Sequence, residues 1–269
     1  MSWQALIRPL RAIMAEERGI AVGVWWNVAL LLGSLAAMPF DRRSILGINP
    51  WIKPIKFDLS VIVFLLTVGA MLWALRNLRR WPRILPLLGW GFAVAMIVED
   101  SLIVLQAARG VRSHMNYTTL FDGILFGVMG VFIALNTILA GWLLALWCIA
   151  KTEYKKVVVW SVRLGLLMLL LASVEGFRIV TWGGHTVGAA DGGPGLPFVN
   201  WSTNHGDLRV AHFFALHALQ LFPFAGLFLA STRLREQLQV ALLFTFAVLY
   251  LTGIWWLFTT AMRGIQLLR

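Results

Sequence analysis

The chain has 269 residues, 59% of them hydrophobic, and a formal net charge of +11, with a mean hydropathy of +0.79. This balance excludes a soluble globular domain and indicates a polytopic membrane protein. The basic residues sit mostly in short links between apolar runs, so membrane topology and anionic headgroups account for them and nucleic acid is not an expected partner.

Residues 2–15 place Trp3, Leu6, Ile7, Leu10, Ile13 and Met14 at helical spacing, with Arg8 and Arg11 on the other face. This predicts an interfacial helix over 1–17, lying on the lipid bilayer. No cleavable signal peptide is expected, because Leu35-Ala36-Ala37-Met38 is only a weak exit site. Seven membrane spans are predicted near 21–40, 57–75, 84–108, 123–150, 157–182, 209–231 and 239–262. Each is long enough, or nearly so, to cross a hydrocarbon core that needs roughly 20 helical residues. Strands are excluded, because the runs are long and do not alternate. The single cysteine, Cys148, lies in the fourth span and can form no intrachain disulfide.

Three links, Arg76 to Arg83, Lys151 to Lys156 and Arg233 to Glu236, are short and basic. Counting spans alternately puts them on the side of Arg8, Arg11 and Arg18, so the N-terminus is expected in the cytoplasm and the C-terminus outside. The opposite links are longer and mix charges with turn residues. In the first, residues 41–56, Pro50 and Pro54 predict a shaped turn rather than a helix. The third, residues 183–208, centres on Asp191-Gly192-Gly193-Pro194-Gly195-Leu196-Pro197 and reads as a lid-like loop. The expected fold is an all-α, single transmembrane domain over 1–269, a bundle of about seven transmembrane helices preceded by the interfacial helix.

Four segments carry a resemblance. They are Asn49-Pro50-Trp51-Ile52-Lys53-Pro54-Ile55-Lys56-Phe57, the run from Gln106 to His114, the run from Asp191 to Pro197, and the run from Gly206 to Gln220 with its Ala211-His212-Phe213-Phe214-Ala215-Leu216-His217 core. They resemble segments of a family of bacterial multi-pass integral membrane proteins without an assigned activity, over about residues 40–230. The resemblance implies a bacterial inner (plasma) membrane protein and transfers no catalytic role.

All five histidines and eight of the twelve acidic residues are expected at the outer end of the bundle. The acids are Asp41, Asp58, Glu99, Asp100, Asp122, Glu175, Asp191 and Asp207. Ionisable groups within a membrane need a partner or a function. Glu175 and Arg178, three residues apart, share a face and suit an internal ion pair. Asp122 and Asp207 stand at helix starts and suit capping. Glu99 and Asp100 point about 100° apart and cannot share one partner. One of them needs a cation such as Lys53, Arg109, Arg112 or Arg178, or else holds a proton and acts in proton transfer. Glu99, Asp100, Glu175 and Arg178 are therefore the candidate catalytic or path-lining residues.

His212 and His217, five residues apart, cannot bind one metal from a regular helix. A haem b could instead take axial imidazoles from His114 and His212, or from His217. A divalent metal could draw on His185, His205 and Asp207. The alternative is hydrogen-bonded rim histidines without a cofactor. The last span has no lysine for a retinal Schiff base and no histidine for a membrane zinc hydrolase. No nucleotide-binding, serine-elbow or paired-cysteine motif occurs. Three functions stay open: a polar His/carboxylate site binding haem or a metal for redox or proton-coupled chemistry, a proton-coupled transporter or channel, and a membrane enzyme on a lipid or isoprenoid. A lipid or small-molecule ligand is the expected partner besides the bilayer.

Overall fold

A computed structural model describes residues 3–267, with side chains from residue 9 onward. The fold is all-α. Its helices are α1 (Trp3–Glu16), α2 (Arg18–Ala37, continued by a 3-10 turn to Phe40), α3 (Ile52–Arg76), α4 (Ile84–Arg109), α5 (Leu120–Ile149), α6 (Lys156–Trp182), α7 (Leu208–Ser231) and α8 (Glu236–Met262). The seven from α2 to α8 are long and apolar enough to cross a membrane, one for each predicted span. Large apolar side chains such as Trp25 and Val131 stand open along them, which suits lipid and would be a liability in water. The protein is a multi-pass membrane protein associated with a lipid bilayer.

The chain divides within α5 into two compact units, Met1–Leu139 and Ala140–Arg269. In the first, α2 packs on α3 and α4. Gly19 and Gly23 of α2 meet Gly89 and Ala93 of α4, so small residues four apart face small residues four apart. This lets two backbones approach closely where lipid offers no hydrophobic drive to pack. A β-carbon at residue 19 would lie 2.7 Å from the Trp90 amide nitrogen. Leu65, Leu72, Leu88 and Phe92 fill the core. Glu17, between α1 and α2, is buried and receives two hydrogen bonds from Arg76, at 2.7 and 2.8 Å. The end of α1 packs rather than lying free: Ile13 is buried against Gly69 of α3. The side chains of Trp3, Leu6, Ile7 and Arg8 in the expected amphipathic stripe lie outside the described residues.

One boundary differs from expectation. Helix α3 begins at Ile52, so Lys53 and Lys56 lie in its first turns rather than in a loop. Pro54 falls where a helix has no N–H to satisfy, so it starts the helix instead of breaking it. The turn before it is tight: Ile45 and Ile48 exchange backbone hydrogen bonds around Leu46 and Gly47, both at positive φ, the pattern of a type I′ turn.

In the second unit α6 packs along α7, and α8 packs on both. Small residues again carry the contact. Gly226 meets Ser161, Gly165 meets the carbonyls of Ala218 and Leu219, and Ala172 packs with Ala211 and Ala215. The 183–208 stretch is more ordered than a loop. Strands β1 (Thr186–Val187) and β2 (Gly206–Asp207) pair antiparallel at its base. Gly206 packs directly on the Ala261 carbonyl of α8, and Val187, Leu208 and Ala261 form a small apolar cluster beneath.

Candidate functional site

The first unit gathers polar residues where α3, α4 and α5 approach the 110–119 turn. The turn is built from its sequence. Gly110 ends α4 in the left-handed conformation, and Val111 donates back to the Gln106 carbonyl at 3.1 Å, a Schellman closure. Asn116 is buried, donates to the Arg112 carbonyl and accepts from the Thr118 amide. These bonds return the chain so that His114 faces α4.

Thr119 and Asp122 form the start of α5. The Asp122 amide donates to Thr119 Oγ1 at 3.1 Å, and Thr119 Oγ1 donates to Asp122 Oδ2 at 2.7 Å. Asp122 also accepts from Gln106 at 2.9 Å and Arg109 at 2.5 Å. The cap is therefore Thr119, whose hydroxyl takes the Asp122 amide, and the Asp122 carboxylate, expected as the cap, instead accepts from side chains and fastens α5 to α4. Arg109 is fully committed here, also donating to Gln106 and lying over the Phe121 ring. The 41–51 link is fastened similarly. Arg43 binds Asp41 through two nitrogens and donates to the Ala108 carbonyl. Its guanidinium holds the Asp41 carboxyl well below the usual aspartate range.

Inside this frame lie three carboxyl groups. Asp58 of α3 and Asp100 of α4 are fully buried, and Glu99 is 3% exposed. Asp100 lies within electrostatic range of both others. Both oxygens of Asp58, both of Asp100 and Oε2 of Glu99 have no hydrogen-bond partner. Glu99 Oε1 lies 3.4 Å from His114 Nε2. On the other side of the ring, His114 Nδ1 lies 3.2 Å from Lys53 Nζ and 3.1 Å from Ser113 Oγ. Phe57 of α3 and Phe126 of α5 pack against the imidazole, and Lys53 also lies over Phe57. Burial and then Lys53 push the His114 pKa down, while Glu99 pulls it up; the net direction is down.

Glu99 and Asp100 stand out in the sequence, with Lys53 as a cation within reach. Asp58 reads there as an acid of the outer end, without a place in the site. The signal was present, since an aspartate inside a span is a functional candidate by default; what was missing was the pairing of α3 with α4. His114, expected as a haem ligand, has side chains against both ring nitrogens, whereas an axial ligand needs one bare nitrogen.

The other expected residues belong to the second unit. Glu175 and Arg178 do not form the expected ion pair: Arg178 lies over the Trp182 ring at 5.2 Å, and Glu175 Oε2 has no partner. Arginine on an aromatic face keeps its charge near the helix end, where it stays solvated. His212 packs on Gly176, hydrogen-bonds the backbone of Ala172 and leaves Nδ1 without a partner. His217 hydrogen-bonds Gln220 and meets the Phe213 ring at 4.2 Å.

His185 Nδ1 lies 3.2 Å from Asp191 and 3.9 Å from Asp207. Asp191 also accepts from the His185 and Thr186 amides. Asp207 caps α7 through the Arg209 amide and binds the Arg209 guanidinium and the Ser202 amide. Burial raises the Asp207 pKa, but Arg209 outweighs it and the net direction is down. The His205 amide donates to Ser202 Oγ, and its ring lies beside Gly188. A cavity of about 80 Å³ lies between His185, Asn200, His205 and Arg209. Among the described residues, no three His, Cys, Asp or Glu side chains converge as a metal-holding group. The geometry does not bring His185, His205 and Asp207 together for a metal.

The chain matches no protein-family model, no curated protein and no solved structure.

Proposed function

We propose that the first unit is a proton-handling site and that the protein is a proton-coupled transporter of a bacterial inner membrane. The observation that carries this reading is the set of five carboxyl oxygens of Asp58, Glu99 and Asp100, buried without a hydrogen-bond donor. An unpaired buried carboxylate costs several kcal/mol or more. Arginine does not relieve it here, because Arg109 is bound to Asp122 and Gln106 and Arg43 to Asp41. Protons neutralise such a cluster without any further partner. A group neutralised by protons can release and regain them when its surroundings change, which is what coupling requires. The basic links support a cytoplasmic N-terminus and an extracytoplasmic C-terminus, and the resemblance of residues 40–230 supports the bacterial setting.

The test is proton flux into proteoliposomes loaded with a pH-sensitive dye, with infrared spectra of the carboxylic C=O stretch. Wild type is expected to show a carboxylic band and flux down a pH gradient. Asp100→Asn is expected to weaken the band and lower flux at least tenfold, with an unchanged circular dichroism spectrum. Equal flux and an identical band in a folded Asp100→Asn protein would remove the reading.

A further inference from the structure

We infer that His114 is the relay through which protons reach the carboxyl cluster, with Lys53 as its outer partner. The inference rests on the proton-handling reading above and adds the route. Among the described residues, the His114–Glu99 contact is the one polar link between the three carboxyls and any other side chain. His114 also joins the buried cluster to a more exposed position. Its side chain is 26% exposed, while that of Glu99 is 3% exposed. One ring nitrogen faces Glu99 and the other faces Lys53 and Ser113. The aromatic packing of Phe57 and Phe126 leaves the imidazole as the polar path through an apolar collar.

The charged groups against the ring are Lys53 from α3 and Glu99 from α4; from α5 the ring meets Phe126, and the nearby Asp122 is held by Arg109. Flanked by burial and an ammonium, the imidazole rests neutral, and a neutral imidazole can accept at one nitrogen while donating from the other. In the inward step the neutral ring carries its proton on Nε2. The Lys53 N–H bond breaks and an Nδ1–H bond forms. The Nε2–H bond breaks and an O–H bond forms on the ionised Glu99. One proton moves from ammonium to carboxylate, and the ring is left as the other tautomer. Lys53 regains a proton from water, and return of the ring to its first tautomer completes the cycle. The separations of 3.2 and 3.4 Å are at the long end for hydrogen bonds, so small ring motions accompany transfer.

The experiment is a pH jump on the full chain in nanodiscs, following the carboxylic infrared band in time. In His114→Gln, which keeps a hydrogen-bonding side chain but carries no proton, the band is expected to reach its wild-type amplitude at least tenfold more slowly. In His114→Ala the same slowing is expected, and added imidazole is expected to restore most of the rate. A wild-type rate in His114→Gln, or slowing in His114→Ala that imidazole does not relieve, overturns the relay. A band that is absent from wild type, or untouched by Asp100→Asn, overturns the underlying reading instead. Because Gln preserves shape, a purely structural role for His114 would leave its rate at the wild-type value and would count against the relay.

Discussion

Two glycines of α2 offer a matched test of how the first unit is held together. At Gly19 an added β-carbon would lie 2.7 Å from the Trp90 amide nitrogen, against 3.4 Å for ordinary contact. The neighbour is backbone, so α2 and α4 must separate by about 0.7 Å. Overpacking of this kind costs about 1–3 kcal/mol. At Gly33, in the same helix, nothing lies within 4 Å. Alanine there adds only helix propensity, a gain of up to about 1 kcal/mol. Both positions are helical, so that gain is common to the two variants, and Gly19→Ala is expected to be less stable than Gly33→Ala by the overpacking cost, about 1–3 kcal/mol. Reversible unfolding in mixed micelles, titrated with a denaturing detergent, measures the difference. Equal midpoints for the two variants would refute the close backbone contact between α2 and α4.

Arg76→Met leaves the Glu17 carboxylate, 1% exposed, without its partner. Breaking a fully buried pair costs about 3–5 kcal/mol. Arg76 is 31% exposed, so about 2–3 kcal/mol is expected, with most of it regained in the Glu17→Gln/Arg76→Met double variant. No recovery in that double-mutant cycle would mean the pair is not the source of the loss. Acid should loosen the base of the 183–208 excursion. The folded Asp207 pKa lies below the usual 3.8, so its stabilisation is complete above 3.8 and is lost as pH falls through the folded value. Hydrogen-exchange protection of the Ser202 and Arg209 amides, both bonded to Asp207, is expected to drop in that acid range. Protection that instead falls toward alkaline pH would contradict the sign.

The seven spans were legible because their signal is physical and local: an apolar stretch as long as a bilayer is thick is costly to leave in water, and a chain of this size cannot bury seven of them in its own core. The start of α3 was not, because Pro54 reads the same whether it ends a turn or opens a helix; only the chain's direction after Ile52 decides. Glu99 and Asp100 were legible as costly charges. Their company was not, because Asp58 and His114 arrive from other elements, and neither spacing nor periodicity encodes which helices pack together. The expected Glu175–Arg178 pair shows the converse. The spacing permits the contact, but Trp182, four residues beyond Arg178, competes for the guanidinium. The β1–β2 pairing was hidden by its size, two residues a strand.

That short ribbon changes what the extramembrane excursion can tolerate. Thr186–Val187 and Gly206–Asp207 clamp the two ends of residues 188–205, and the clamp itself is seated on α8. Helices α6 and α7 are thus spaced by the clamp and not by the length of chain beyond it, so insertions there need not be felt in the packed helices. Gly193, with nothing within 4 Å of an added β-carbon, is the natural place to graft an epitope whose accessibility from either face of a sealed vesicle would reveal the sidedness of the protein.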